Sequence, residues 1–243
     1  MATEKQELTS RTLGQMLAFI QKRNYDPGER LPSERELSER FGVGRGVVRE
    51  ALSVLENLRY LTRKPNSGVY LTAMPERVSL ETLSLFSEVG IELTTDKLQE
   101  ALEVRRIVEI QAVQLACERR TEADLQALQA VIDRFDAAMA GSGERTADLD
   151  YEFHMALFSA AHNTVLTQMV HPFYLMSAHR RATFFADNTV GAVSNLQHRE
   201  LLDCLRARDA QRASRVMSAH IGRVESALRI SPAQPAGRPA LRR

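Results

Sequence analysis

The stretch Leu31-Pro32-Ser33-Glu34-Arg35-Glu36-Leu37, followed by Phe41-Gly42-Val43-Gly44-Arg45-Gly46-Val47-Val48-Arg49-Glu50-Ala51-Leu52, decides the fold of the first third of the chain. Pro32 cannot continue a helix, so it marks a boundary. Ser33 can cap the helix that follows, and Glu36, three residues on, completes a capping box. Leu37 and Phe41 are four apart and share one face. Gly42 follows Phe41 and can take the left-handed conformation that ends a helix, and the small apolar Val43 packs inside the turn. A second helical stripe then runs through Val47, Val48, Ala51, Leu52 and Leu55. Arg45 and Arg49, also four apart, lie on a different face from Val48 and Leu52. One side of this helix is therefore buried while another offers two guanidiniums, whose paired donors suit phosphate and guanine alike. Two short helices joined in this way form a helix-turn-helix that can present side chains to the DNA major groove.

Outward from this stretch the pattern changes. Tyr60–Lys64 and Val69–Thr72 read as short strands around Pro65-Asn66-Ser67-Gly68, a turn sequence. A hairpin in this place is a wing, with Arg63 and Lys64 on a basic edge and a polar tip at Asn66, Ser67 and Gly68 that can meet phosphates. Leu13, Met16, Leu17 and Ile20 form the stripe of a preceding helix. Residues 10–72 are expected to form a winged helix-turn-helix domain after a flexible N-terminus at 1–9.

These residues resemble the DNA-binding domain of GntR-type bacterial transcriptional regulators. The matching signs are Pro27-Gly28, Leu31 to Leu37, Gly42-Val43, Arg45 to Leu52 and Pro65-Asn66-Ser67-Gly68. The resemblance implies a double-stranded DNA operator as partner, with Arg35, Arg45, Arg49 and the wing (Lys64, Asn66, Ser67, Gly68) in contact with it. Gly44 and Gly46 belong to the same contact stretch. They depart from the Ser and Thr, or Thr and Pro, common there, and so offer no side-chain contact. Arg59 and Tyr60 replace the small residues usual before the first wing strand.

Composition bounds the rest. The 243 residues are 44% hydrophobic and carry a net charge of +1, so no global nucleic-acid signature exists. No apolar run approaches the ~20 residues of a membrane span. The polar start is not that of a signal peptide. Cys117 and Cys204 lie far apart in helical patterns and are read as buried thiols. A bacterial cytoplasmic protein is expected, with no membrane partner.

Residues 73–78, which include Pro75, read as a linker, and beyond them strand signals vanish. Candidate helices cover 79–88, 96–119, 122–139, 146–161, 164–187, 190–207 and 210–229, implying an antiparallel all-helical bundle over 79–230. Residues 231–243, rich in Pro, Ala, Gly and Arg, are expected to be disordered. The fold class is therefore mainly α: an N-terminal winged helix-turn-helix plus a C-terminal helical bundle.

Within the bundle Asp150 and His154 are four apart on an otherwise apolar helix, and His198 and His220 fall mid-helix beside core positions. One carboxylate and three imidazoles that converged would make a divalent metal site. Spacing does not show convergence, and a lone histidine on an apolar helix is more often a satisfied core residue. His162, His171 and His179 receive no role.

This second region is similar to the FCD ligand-binding domain of the FadR-like branch of the GntR group. The signs are Asp150-Tyr151-Glu152-Phe153-His154, Ala160-Ala161-His162-Asn163, His198 and His220, with His162 in place of the family's usual glycine. The resemblance implies that Asp150, His154, His198 and His220 hold a divalent metal, Zn2+ first, with Ni2+, Mn2+ or Fe2+ also suited. It further implies a small carboxylic-acid effector near Arg105 and Asn163, and a homodimer that reads a pseudo-palindrome. Arg105 has a competing reading as the i,i+4 partner of Glu109. The expected function is a transcriptional regulator, a repressor, whose operator affinity follows the effector. Two alternatives are the same regulator with a purely structural metal, and a metal-dependent enzyme.

Overall fold

The computed structural model describes residues 2–91, 93–141 and 143–230. The chain divides into two compact units between Leu93 and Thr94.

The first unit contains α1 (Ala2–Arg23), α2 (Glu34–Phe41), α3 (Arg45–Asn57), β1 (Leu61–Lys64), β2 (Gly68–Leu71), a 3-10 turn (Pro75–Arg77) and α4 (Glu81–Glu88). The capping box forms as the sequence dictates: the Glu36 amide donates to Ser33 Oγ, and the Ser33 amide to the Glu36 carboxylate. Gly42 ends α2 with φ at 65°, where a side chain would be strained. The core joins Leu13, Met16, Leu17 and Ile20 of α1 to Leu37, to Val48, Ala51, Leu52 and Leu55 of α3, and to Leu61 and Val69 of the hairpin. β1 and β2 pair antiparallel from Leu61–Leu71 to Lys64–Gly68. Residues 29–31 lie along β2, with the Leu31 amide donating to the Val69 carbonyl and the Leu71 amide to that of Glu29.

Two expectations about this unit are corrected. Residues 2–9 are helical rather than flexible. They contain no Pro or Gly, and Lys5 and Thr9 both donate to the Glu50 carboxylate. The helix expected to open the bundle, α4, instead belongs to the first unit. Leu85, Phe86, Val89 and Ile91 pack on the winged-helix core, the Phe86 ring meets Tyr60 edge-on at 5.6 Å, and the Ser79 amide donates to the Leu58 carbonyl. Arg59-Tyr60 thus has a structural use: Arg59 takes a positive φ, and Tyr60 supplies the ring on which α4 rests.

The second unit is helical throughout its described residues: α5 (Thr95–Arg119), α6 (Glu122–Met139), α7 (Thr146–Ala160), α8 (Thr164–Met176), α9 (Ala178–Phe184), α10 (Asn188–Ala207) and α11 (Ala210–Ile230). The single helix expected over 164–187 is broken at Ser177. Pro172 removes one helical donor, and the break leaves the Tyr174 carbonyl to accept from Ser177 Oγ and Arg181 Nη1. The core gathers Phe135, Phe153, Leu157, Leu128, Ile132, Leu201 and Met217. Cys117 and Cys204 are buried free thiols, and burial pushes the Cys117 thiol up to about 11. At one pole the C-termini of α5 and α10 cap each other. Arg120, at the end of α5, donates to the Leu205 and Arg206 carbonyls of α10. Arg208, at the left-handed end of α10, donates to the Cys117, Glu118 and Arg120 carbonyls. No helix among the described residues is long and apolar enough to cross a membrane. The tail at 231–243 lies outside the described residues.

Candidate nucleic-acid interface and metal centre

In the first unit, α3 presents its arginines from a face flanking its buried stripe. Val48, Ala51, Leu52 and Leu55 are buried while Arg45 and Arg49 are exposed. Arg45 makes no ion pair or hydrogen bond among the described residues. Arg49 does: its Nε and Nη2 donate to Glu34 Oε2 at 3.2 and 2.9 Å. The other oxygen of Glu34 accepts from Arg63 Nη1 at 2.9 Å. These two bonds, that from Arg49 first, hold the Glu34 carboxyl below the usual carboxylate range. Arg35 stands on the exposed side of α2, 3.8 Å from Glu39. Gly44 is the N-cap of α3 and gives it no side-chain bond; a Cβ at Gly44 or Gly46 would meet open space. Nothing in the packing therefore demands glycine at either position.

At the wing tip Asn66 is left-handed, with φ at 55°. Ser67 Oγ and Tyr70 OH lie 2.5 Å apart, and Lys64 Nζ sits 4.3 Å from the Tyr70 ring centre. Gly68, with φ at 128°, has the Arg30 guanidinium so close that a Cβ would lie 2.9 Å from its Nε. Arg30 is thus a further cation of the wing, which the sequence reading missed because it precedes α2 by several residues and joins the hairpin only through its bridge to Tyr70.

In the second unit the four expected ligands converge. Asp150 and His154 project from α7, His198 from α10 and His220 from α11, and each offers a ligand atom within 4.8 Å of the others. That is the scale of one coordination sphere, with ligands about 2.0–2.2 Å from an ion. All four side chains are buried. His154 Nε2 and His220 Nε2 face each other at 3.1 Å, and Asp150 Oδ1 lies 3.5 Å from His198 Nε2. Burial, then the neighbouring imidazoles, lowers the basicity of His220, and burial also lowers that of His198; both shifts favour the neutral ring, the form whose lone pair can bind a metal. Burial alone would raise the Asp150 carboxyl, but the close approach of His198, with His154 and His220 beside it, holds it below the usual range.

Orphaned atoms test the fit of an ion. Both ring nitrogens of His198 are buried without a hydrogen-bond partner. The ring itself is fixed, stacked on Phe153 at 3.9 Å and edge-on to Phe135 at 5.8 Å. A buried polar atom left unpaired is costly, and a cation among these four donors relieves that cost. The residues therefore fit a divalent metal.

Around the ligands stands a shell the sequence reading did not name. His154 Nδ1 lies 2.7 Å from Glu109 Oε2, a close approach without full hydrogen-bond alignment. His220 Nδ1 is 3.0 Å from Gln197 Oε1, which also accepts from Arg223 Nη2 at 3.2 Å. Such outer partners fix a ring's tautomer and aim its other nitrogen at the ion. Arg105 is buried and paired with Glu109 at 2.6 Å, and its Nη2 donates to Tyr174 OH at 2.9 Å. Tyr174 in turn donates to Glu109. Spacing exposed the Arg105–Glu109 pair but gave no sign of Tyr174, which comes from α8. Asp150 also feels the charges of Arg105, Arg181 and Arg223.

Asn163 lies at the start of α8. It is the N-cap of α8, with its Oδ1 accepting from the Leu166 amide at 3.1 Å, and it lines a surface groove with Ser159, His162, Thr167 and His171. His162, in place of a glycine, holds a φ of 48° and pairs with Asp124 at 2.8 Å.

A winged helix with exposed arginines, on a chain that also carries a buried ligand-type site, defines a DNA-binding transcriptional regulator. A profile described as bacterial regulatory proteins, gntR family, matches residues 9–71, and one described as the FCD domain matches residues 100–223. The HTH-type transcriptional regulator LutR of Bacillus subtilis is 30% identical over 207 residues, 83% of this chain and 92% of that one. The galactonate operon transcriptional repressor of Escherichia coli is 28% identical over 196 residues, 78% and 82% of the two chains. Among solved structures, Lar, which controls expression of the Listeria monocytogenes agr system, covers 91% of this chain and 97% of its own at a TM-score of 0.65 and 18% identity, a likeness of fold. The chain belongs to the GntR family of bacterial transcriptional regulators, with an FCD domain following its winged helix.

Proposed function

We propose that the chain is a repressor whose operator affinity is set by a small organic acid bound beside a divalent metal in the helical unit. The observation that carries this reading is the buried Asp150–His154–His198–His220 cluster with Arg105, Arg181 and Arg223 in electrostatic reach of Asp150. The four ligands would hold the ion, zinc first. Such an ion supplies an acceptor for a carboxylate oxygen. Glu109 and Gln197 orient His154 and His220, and the three guanidiniums favour an anion. Arg35, Arg45, Arg49 and the wing residues Lys64, Asn66, Ser67 and Gly68 carry the DNA contact, with the bare backbone of Gly44 and Gly46 beside Arg45. A homodimer reading a pseudo-palindrome matches two-fold DNA geometry. Exposed Ile107 and Val104 on α5 and Val165 and Met169 on α8 offer apolar surface for a second copy.

One observation favours the alternative of a structural metal without effector: Arg105 already donates to Glu109 through Nε and to Tyr174 through Nη2. Calorimetry of metal-loaded and metal-stripped protein against a panel of small organic acids separates the two. Metal-dependent binding of an acid, with release of DNA in a gel shift, supports the first; metal in the protein with no acid bound supports the second.

A further inference from the structure

The Arg49 and Arg63 guanidiniums that would meet DNA are not free to do so. Glu34, the first residue of α2, takes the fork of Arg49 on one oxygen and Arg63 on the other, and Arg63 also reaches Glu56 at 3.4 Å. One carboxylate thus joins α2, α3 and β1, the three elements of the reading head. Arg49 remains 64% exposed and Arg63 37%, so a phosphate can approach both, but only by exchanging with Glu34. Arg45, one helical turn before Arg49, is under no such restraint.

We propose that Glu34 is a specificity-determining residue, an internal competitor for DNA phosphate that weakens binding to arbitrary duplex more than to operator. Contact with arbitrary sequence is almost wholly phosphate electrostatics. A loosely seated duplex has little with which to replace the charge-assisted Arg49–Glu34 fork. An operator adds base contacts from the same helix, and the fork delivers Arg49 to it already ordered. The inference rests on Arg49 being a DNA contact.

The test compares a duplex selected by the protein from a random-sequence pool with a scrambled duplex of equal length. Glu34→Gln keeps the shape and removes the charge. Glu39→Gln, an exposed neighbour on α2 that lies 3.8 Å from Arg35 and takes no part in the fork, controls for the loss of one acidic charge beside another DNA-facing arginine. Glu34→Gln should raise affinity for the scrambled duplex about five- to tenfold and steepen its salt dependence by roughly one unit of log K per log salt. Affinity for the selected duplex should rise less, so the specificity ratio falls, while Glu39→Gln leaves the ratio unchanged. An unchanged ratio in Glu34→Gln, or equal effects of the two variants, overturns the proposal. Arg49→Ala tests the underlying contact separately: undiminished binding to the selected duplex removes Arg49 from the interface. If Glu34→Gln fails to fold, arginine side-chain NMR of the unaltered protein decides. The Arg49 Nε–H signal should stay as in the free protein on scrambled duplex and shift on selected duplex; the same shift on both overturns the proposal.

Discussion

At the scale of single residues, the chain divides its charged side chains into committed and uncommitted ones. Arg45 is uncommitted, so its removal measures DNA contact with little else changed. Arg45→Ala is expected to weaken binding to a selected duplex by about 1–3 kcal/mol if it reads a base edge, read by gel shift; unchanged affinity would remove it from the contact surface. The ligand residues are the opposite case. His198 is buried, clamped between Phe153 and Phe135, and has no hydrogen-bond partner. Both His198→Ala and His154→Ala should lose metal by elemental analysis while circular dichroism still reports a helical fold. Full occupancy in either variant sinks the site assignment. Gln197 tests the outer shell: Gln197→Leu leaves His220 without its Nδ1 partner and should lower metal affinity roughly 10–100-fold, with Gln197→Glu recovering most of it.

At the scale of elements, the helices of the bundle were largely legible because their caps are local chemistry. Thr121 and Asp124 form a capping box at the start of α6, and α6 runs over the expected residues. What escaped was non-local. The break at Ser177 depends on Arg181 reaching back to Tyr174 and Ala147. The place of α4 depends on Phe86 meeting Tyr60, which no periodicity encodes. The same holds at the site: i,i+4 spacing revealed Asp150–His154 and Arg105–Glu109, but the approach of Glu109 to His154 joins α5 to α7 and is visible only in three dimensions. Element-scale stability offers a further test. Gly46 lies in the first turn of α3 with open space where a Cβ would go. Gly46→Ala should raise stability by up to about 1 kcal/mol in thermal unfolding. Weaker DNA binding by that same stabilised variant would show that the bare backbone there is kept for DNA.

At the scale of the whole molecule, each unit has its own core, and the ligand cluster belongs to the second unit alone. An ion that binds only the folded bundle stabilises that unit by mass action, about 2.7 kcal/mol when free metal is a hundred times its dissociation constant. Scanning calorimetry with and without chelator should therefore move the unfolding of the bundle to lower temperature and leave that of the winged helix in place. Superimposable traces would rule out a bound ion of that affinity. The exchange of caps between α5 and α10 bears on slow motion rather than equilibrium. Helix ends normally fray one at a time, but Arg120 and Arg208 each terminate the other's helix, so neither end can unwind without releasing its counterpart. In hydrogen–deuterium exchange the last turns of α5 and α10 would then open as one event, at a shared rate, although about ninety positions of sequence separate them.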